Sequence, residues 1–252
     1  MQGENPDKEA KQIWDELGPW WDASVKEGDP FHRAFIFPVI ERWLNLKGGE
    51  RILDAGCGNG ALSRRMAKQG AEVYGVDFSR TLLNQAVERS QNFPNIRFEE
   101  VDLTDATHLK RLAAVGKFDR IISSMVLHNM SNLHPFFKAL RGLLKPQGYF
   151  IFSIPHPCFN SSSVLFKPEG GLTLTGYIQQ TTNRMRSKPG QPIEQLVFHR
   201  PVREYFNLLI DQGLVMNGFE EPCVAPKLLP KGNLWGQRPS IPPVLLARWV
   251  MT

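Results

Sequence analysis

Three aspartates, Asp54, Asp77 and Asp102, each stand at the C-terminal end of a short run that reads as a strand, and three glycines follow the first of them at every second position, Gly56, Gly58 and Gly60. Glycine at that spacing permits positive φ and lets a ligand approach the backbone without meeting a Cβ. Ile52-Leu53-Asp54 reads as a strand, the glycines as a tight turn, and Ala61 onward as a helix, with Leu62, Met66 and Ala67 at helical spacing. The turn is therefore a cradle for a small cofactor. Asp77 falls 21 residues after Gly56, where a doubly wound α/β sheet places an acidic partner for ribose hydroxyls. Charge separates the ligand classes. A dinucleotide turn has the form G-x-G-x-x-G and rests a pyrophosphate on the helix N-terminus. Here the form is G-x-G-x-G with Asp54 in front of it, a carboxylate that repels a pyrophosphate and suits a phosphate-free nucleoside carrying an ammonium group. Nicotinamide redox chemistry stands as the alternative.

The stretch Asp54 to Gly60 resembles the first motif of class I S-adenosylmethionine-dependent methyltransferases, D-x-G-C-G-x-G. Phe118-Asp119-Arg120-Ile121, continuing to Leu127-His128, is similar to the same family's F-D-x-I-x-x-x-x-x-L-H segment, and Leu144-Lys145-Pro146-Gln147-Gly148 to Phe152 to its L-K-P-x-G-x-x-x-F cadence. The resemblance implies S-adenosylmethionine as cofactor and S-adenosylhomocysteine as product. It implies an α/β fold, a doubly wound, Rossmann-like, seven-stranded and mostly parallel sheet, here with a cap inserted after strand five. Carried over residue by residue, the cofactor set is Asp54, Ala55, Gly56, Cys57, Gly58 and Gly60 in the first turn, with Asp77 and Phe78 after the second strand. Asp102 is placed to accept from the adenine amino group, and Leu103 to offer its amide to a ring nitrogen. Ser124 and Met125 flank the cofactor at the end of strand four. Arg33 is the leader cation that reaches the methionyl carboxylate in some relatives, or else a solvated side chain. Trp21, beside Trp20, either closes over the pocket or packs on the back of the domain.

Four segments position these groups. Residues 1–47 form a helical leader, with a helix over 7–21 stopped by Gly18-Pro19 and a second over 31–46 kinked or broken at Pro38. Residues 48–154 hold the cofactor-binding core, five strands alternating with helices, one of them N-capped by Ser79. Residues 155–199 are rich in Pro, Gly, Ser and Thr, and so long a structureless loop is improbable in a compact domain. They are expected to form a substrate cap in which 176–181 pairs with 193–198. Residues 200–252 complete the sheet with an antiparallel pair, 214–222 and 243–250. Two histidines are candidate bases, His128 after strand four and His156 after strand five, each also readable as a packed, hydrogen-bonded side chain.

The chain has 252 residues, 42% of them hydrophobic, enough to bury one sizeable core. Its net charge of +5 is mild and concentrated after residue 150. Three distant cysteines suit a reducing compartment and supply neither a disulfide framework nor a zinc site, so no metal is expected. No apolar run approaches the ~20 residues of a membrane span, and the polar start is no signal peptide, so a cytoplasmic location and no membrane partner are expected. Strand four ends Ser123-Ser124-Met125-Val126, without the Asn/Asp-Pro-Pro-Tyr element of enzymes that methylate nucleobase or glutamine amino groups. The expected acceptor is a small molecule attacked at O or N by in-line displacement, with nucleic acid an unfavoured partner and the chain a monomer or homodimer. The alternative is an RNA or protein methyltransferase whose basic cap docks the polymer.

Overall fold

The computed structural model describes residues 5–167, 171–223, 229, 231 and 233–251. Its centre is a seven-stranded sheet built from β1 (Arg51–Ala55), β2 (Glu72–Asp77), β3 (Ile96–Glu100), β4 (Phe118–Ser124), β5 (Leu144–Pro155), β10 (Leu214–Glu220) and β11 (Val244–Met251). The order across the sheet is β10-β11-β5-β4-β1-β2-β3. The strands from β5 to β3 run parallel, and β11 pairs antiparallel with both β5 and β10. Ile52 to Ala55 of β1, Ile121 to Ser123 of β4 and Phe150 to Ile154 of β5 are buried because helices cover both faces of the sheet, as a parallel sheet requires. α3 (Ala61–Lys68) and α4 (Arg80–Arg89) follow β1 and β2, α5 (Ala106–Ala114) and α6 (His134–Leu143) flank β4, and α7 (Val202–Ile210) precedes β10. One core layer stacks Phe136, Phe137, Phe150, Phe152, Tyr205 and Trp249, and the opposite layer joins Ile52, Ile122 and Ile151 to Phe35, Ile40 and Trp43. Among the described residues no helix is long and apolar enough to cross a membrane.

The leader departs from the sequence reading. α1 (Pro6–Val25) does not stop at Gly18-Pro19 but passes through both. Pro19 has no N–H for the carbonyl four residues back, yet Trp14 and Leu17 before it and Trp20 and Trp21 after it pack into one cluster with Leu82 of α4. Gly18 permits that packing, since a Cβ there would sit 2.8 Å from Thr81 Cγ2. Burial on both sides of the proline outweighs the lost bond. The second helix does break near Pro38: a π-helical turn over His32–Ile36, closed by Phe37 N–H on the His32 carbonyl, precedes α2 (Phe37–Leu44).

After β5 the chain forms two small hairpins. β6 (Val164–Phe166) pairs with β7 (Leu172–Leu174), which the sequence reading lacks, and β8 (Thr181–Met185) pairs with β9 (Gln195–His199). The second is the expected pairing moved along the chain. Gly176 to Gln179 is a turn, with Gly176 at φ +65°, so the strand starts only at Thr181.

Candidate active site

A cavity of about 1030 Å³, its open mouth included, lies at the C-terminal ends of β1, β2 and β4. The order reverses between β1 and β4, and a doubly wound sheet opens a crevice at such a point. The glycine turn forms its floor. Gly56, at φ +82°, lets the loop after β4 close against the loop after β1, for a Cβ there would lie 2.3 Å from Val126 Cγ2. Gly58, at φ +54°, has no heavy atom within 4 Å of where its Cβ would be, so this stretch of backbone faces open cavity.

Three carboxylates stand around that floor. Asp54 is buried and its Oδ2 accepts from Ser63 Oγ at 2.5 Å. Burial lifts its pKa to about 7, the Ser63 bond works against the rise, and Asp77 adds to it. Asp77 accepts from Gly58 N at 2.8 Å and Ser79 N at 2.9 Å, which ties the end of β2 to the glycine turn. Burial lifts it to about 6 in spite of those two bonds. Asp102 accepts from Thr104 N and Oγ1 through Oδ1, leaving Oδ2 for a ligand. Met125 adopts φ +59°, held by its N–H to the Ser153 carbonyl at 2.9 Å.

The leader supplies the facing wall. Trp14, Trp21, His32 and Phe37 line the cavity, as does Asp7, which accepts from Ser131 N and Oγ beyond β4. Asp22 binds Arg89 twice at 2.7 Å and accepts from Asn59 Nδ2 at 2.8 Å, fastening α1 to α4 and to the glycine turn. Arg64, nearly inaccessible, bonds both oxygens of Glu27 and the Asn59 carbonyl.

Of the residues expected at the site, Asp54, Gly56, Cys57, Gly58, Asp77, Phe78, Asp102, Leu103, Ser124, Met125 and Trp21 line the cavity. Ala55 does not, because its side chain belongs to the core, and Gly60 instead turns the chain into α3 at φ +75°. Arg33 is exposed outside the cavity, and its neighbour His32 faces inward in its place. Neither candidate base lines the cavity. His156 is spent on structure, with Nε2 2.6 Å from Glu221 Oε1 and Nδ1 accepting from Cys158 N. His128 is walled in, and burial, with Arg200 nearby, drives its pKa down to about 3. Cys57 is a packing residue, its thiol pushed well up by burial and by Asp77 and Asp54. The sequence reading missed Asp7, Trp14, His32, Phe37 and Asn59. A tryptophan seven residues, or two helical turns, before Trp21 was the available signal for Trp14.

The residues fit S-adenosylmethionine on charge and on space. Asp54, Asp77 and Asp102 line the cavity together, and no described lysine or arginine lines it to receive a pyrophosphate. The Gly58 cradle is open where a side chain would fill it. A family model described as a methyltransferase domain matches residues 46–203. The chain belongs to this methyltransferase family. Its fold is that of the class I S-adenosylmethionine-dependent enzymes. A solved S-adenosylmethionine-dependent methyltransferase from Mesorhizobium loti superposes with a TM-score of 0.68 at 24% identity, covering 89% of this chain and 99% of its own. Magnesium protoporphyrin IX methyltransferase from Synechocystis, solved with S-adenosylhomocysteine, gives 0.63 at 16% identity, covering 98% and 100%. Curated relatives include a ubiquinone biosynthesis O-methyltransferase of Glaesserella parasuis, 32% identical over 53% of this chain and 58% of that protein. Another, from Coxiella burnetii, is 34% identical over 60% of this chain and 63% of that protein. The chain thus spans about three fifths of the length of these curated relatives.

Proposed function

We propose that this methyltransferase binds S-adenosylmethionine in the cavity and transfers its methyl group to an oxygen or nitrogen of a small-molecule acceptor, with oxygen favoured because the curated relatives are named O-methyltransferases. The observation that carries the reading is the open Gly58 cradle ringed by strand-end carboxylates with no described lysine or arginine among the lining residues. The bound cofactor supplies an electrophilic methyl on a sulfonium. The chain's task is to hold and orient. Asp77 has lone pairs beyond those given to Gly58 and Ser79, placed for ribose hydroxyls. Asp102 offers Oδ2 to the adenine amino group, and Asp54 faces the ammonium. Trp14, Trp21 and Phe37 exclude water from the site. Positioning of this kind supplies about 7–11 kcal/mol. Residues 1–47 and 155–199 then act as lid and acceptor-choosing cap over the core of 48–154 and 200–252.

Titration calorimetry with S-adenosylhomocysteine and with NADH tests the binding. Micromolar binding of the first and none of the second is expected, and the reverse would sink the proposal. Transfer of labelled methyl to a panel of phenols, alcohols, carboxylic acids and amines then identifies the acceptor group.

A further inference from the structure

Only one histidine lines the cavity among the described residues, and it is one the sequence reading passed over. His32 is 2.8 Å through Nδ1 from Asp29 Oδ1, and the same oxygen accepts from the His32 backbone N–H at 2.9 Å. Asp29 is largely buried, and its Oδ2 is paired with Lys188 from the loop between β8 and β9. Burial by itself would raise the Asp29 pKa, but the His32 hydrogen bond, His32's charge and Lys188 hold the carboxyl well below the usual range. An ionised carboxylate only accepts, so Nδ1 is the donor and the lone pair of the neutral ring sits on Nε2. No described group bonds His32 Nε2, and the ring borders the cavity.

The other acids lining the cavity each accept at least one bond from the protein itself. Asp54 takes Ser63, Asp77 takes Gly58 and Ser79, Asp102 takes Thr104, and Asp7 takes Ser131. The charged groups in contact with the dyad are Asp29 on its own turn and Lys188 opposite, whose ammonium also lies 4.7 Å from the Trp21 ring centre. Lys188 balances the Asp29 charge, and the Asp29 hydrogen bond fixes the orientation of the imidazole.

We infer that His32, oriented by Asp29, is the general base for a hydroxyl acceptor in this cavity. The inference rests on the methyl-transfer reading above and narrows it to acceptors carrying an O–H. In the step, His32 Nε2 takes the hydroxyl proton as the oxygen bonds to the methyl carbon. The methyl–sulfur bond breaks, its electron pair stays on sulfur, and the proton later leaves the imidazolium for solvent. A base is needed for such a weak acid and contributes on the order of 10²–10⁴-fold. Asp29 is a positioning residue, and Lys188 links the dyad to the inserted segment.

Two measurements decide it. The first needs no acceptor: ¹⁵N NMR of His32 in the protein saturated with S-adenosylhomocysteine. The Nδ1–H tautomer is expected, with a pKa that falls in Asp29→Asn. The opposite tautomer, or a pKa indifferent to that change, would overturn the inference. The second compares His32→Gln with the parent on whichever acceptor of the panel is turned over. Loss of kcat by at least 100-fold, loss of the acid limb of its pH profile and S-adenosylhomocysteine affinity kept within threefold are expected. An unchanged kcat with weakened cofactor binding would make His32 a cofactor ligand, and turnover confined to amines would also overturn the inference. Absence of binding by S-adenosylhomocysteine would instead remove the methyl-transfer reading itself, while the tautomer and pKa of His32 in the free protein would still show whether the dyad exists.

Discussion

The two walls of the cavity are built by different means. The strand-end wall is made of short-range geometry: a buried strand, a glycine turn and a carboxylate, with the Gly58 N–H donating to the Asp77 carboxylate at 2.8 Å. The leader wall is made of side chains that meet from far apart in sequence, such as Arg89 on Asp22 across 67 residues. The first kind of wall holds a ligand by the path of its backbone. The second holds itself in place by ion pairs and tryptophan packing and so contributes stability as well as shape. Substitutions should therefore fail differently on the two sides.

The sharpest break is Gly58→Val. Its side chain would fill the space the ligand needs, at a φ that a branched residue dislikes, so loss of S-adenosylhomocysteine binding by 100-fold or more is expected with the fold retained. Calorimetry and circular dichroism on the same sample check both halves. On the other wall, Asp22→Ala removes both Arg89 bonds and one of the two that Asn59 Nδ2 makes, and a loss of about 2 kcal/mol in urea unfolding is expected, with a smaller change in affinity. If it cost affinity and no stability, the contrast between the walls would collapse. Asp77→Ala should weaken cofactor binding at least tenfold, about 1.4 kcal/mol, and an unchanged affinity would remove Asp77 as the ribose partner.

The smallest effect is one of pH. Asp54 ionises near 7, and an ammonium ligand favours the ionised form, so S-adenosylhomocysteine affinity should fall as pH drops through about 7, by up to tenfold per unit. Asp54→Asn should flatten that profile. The same shift acts oppositely on the free protein. A carboxyl whose folded pKa is raised keeps its full stabilising share below about pH 4, the unfolded value, and loses it as pH climbs toward 7. Asp54→Asn should accordingly raise the Tm at pH 8, with the gain vanishing near pH 4.

This division also explains what was legible in the sequence. The sheet, its antiparallel closing pair and the roles of glycine and aspartate at the strand ends are written in runs of ten residues or fewer, where period and turn chemistry are strong signals. The leader wall is not. Pro19 was read as a stop because local propensity forbids it, and only the distant Leu82 and Thr81 make the longer helix favourable. The expectation of a basic leader residue at the site fell on Arg33, whereas the fold turns His32 inward. Adjacent helical residues point roughly 100° apart, and no sequence period fixes the phase across a π-helical turn. His156 was placed correctly after β5, but its engagement by Glu221, 65 residues on, could not be foreseen.

That π-helical turn has an engineering consequence. A π bulge is an α-helix carrying one additional residue. Deleting Ala34 would let the segment wind as regular α-helix, with Phe37 to Leu44 still seated on the sheet. Everything upstream would swivel by about a quarter turn. One excised codon would thus act as a dial, re-aiming the rim of the crevice while leaving its floor untouched.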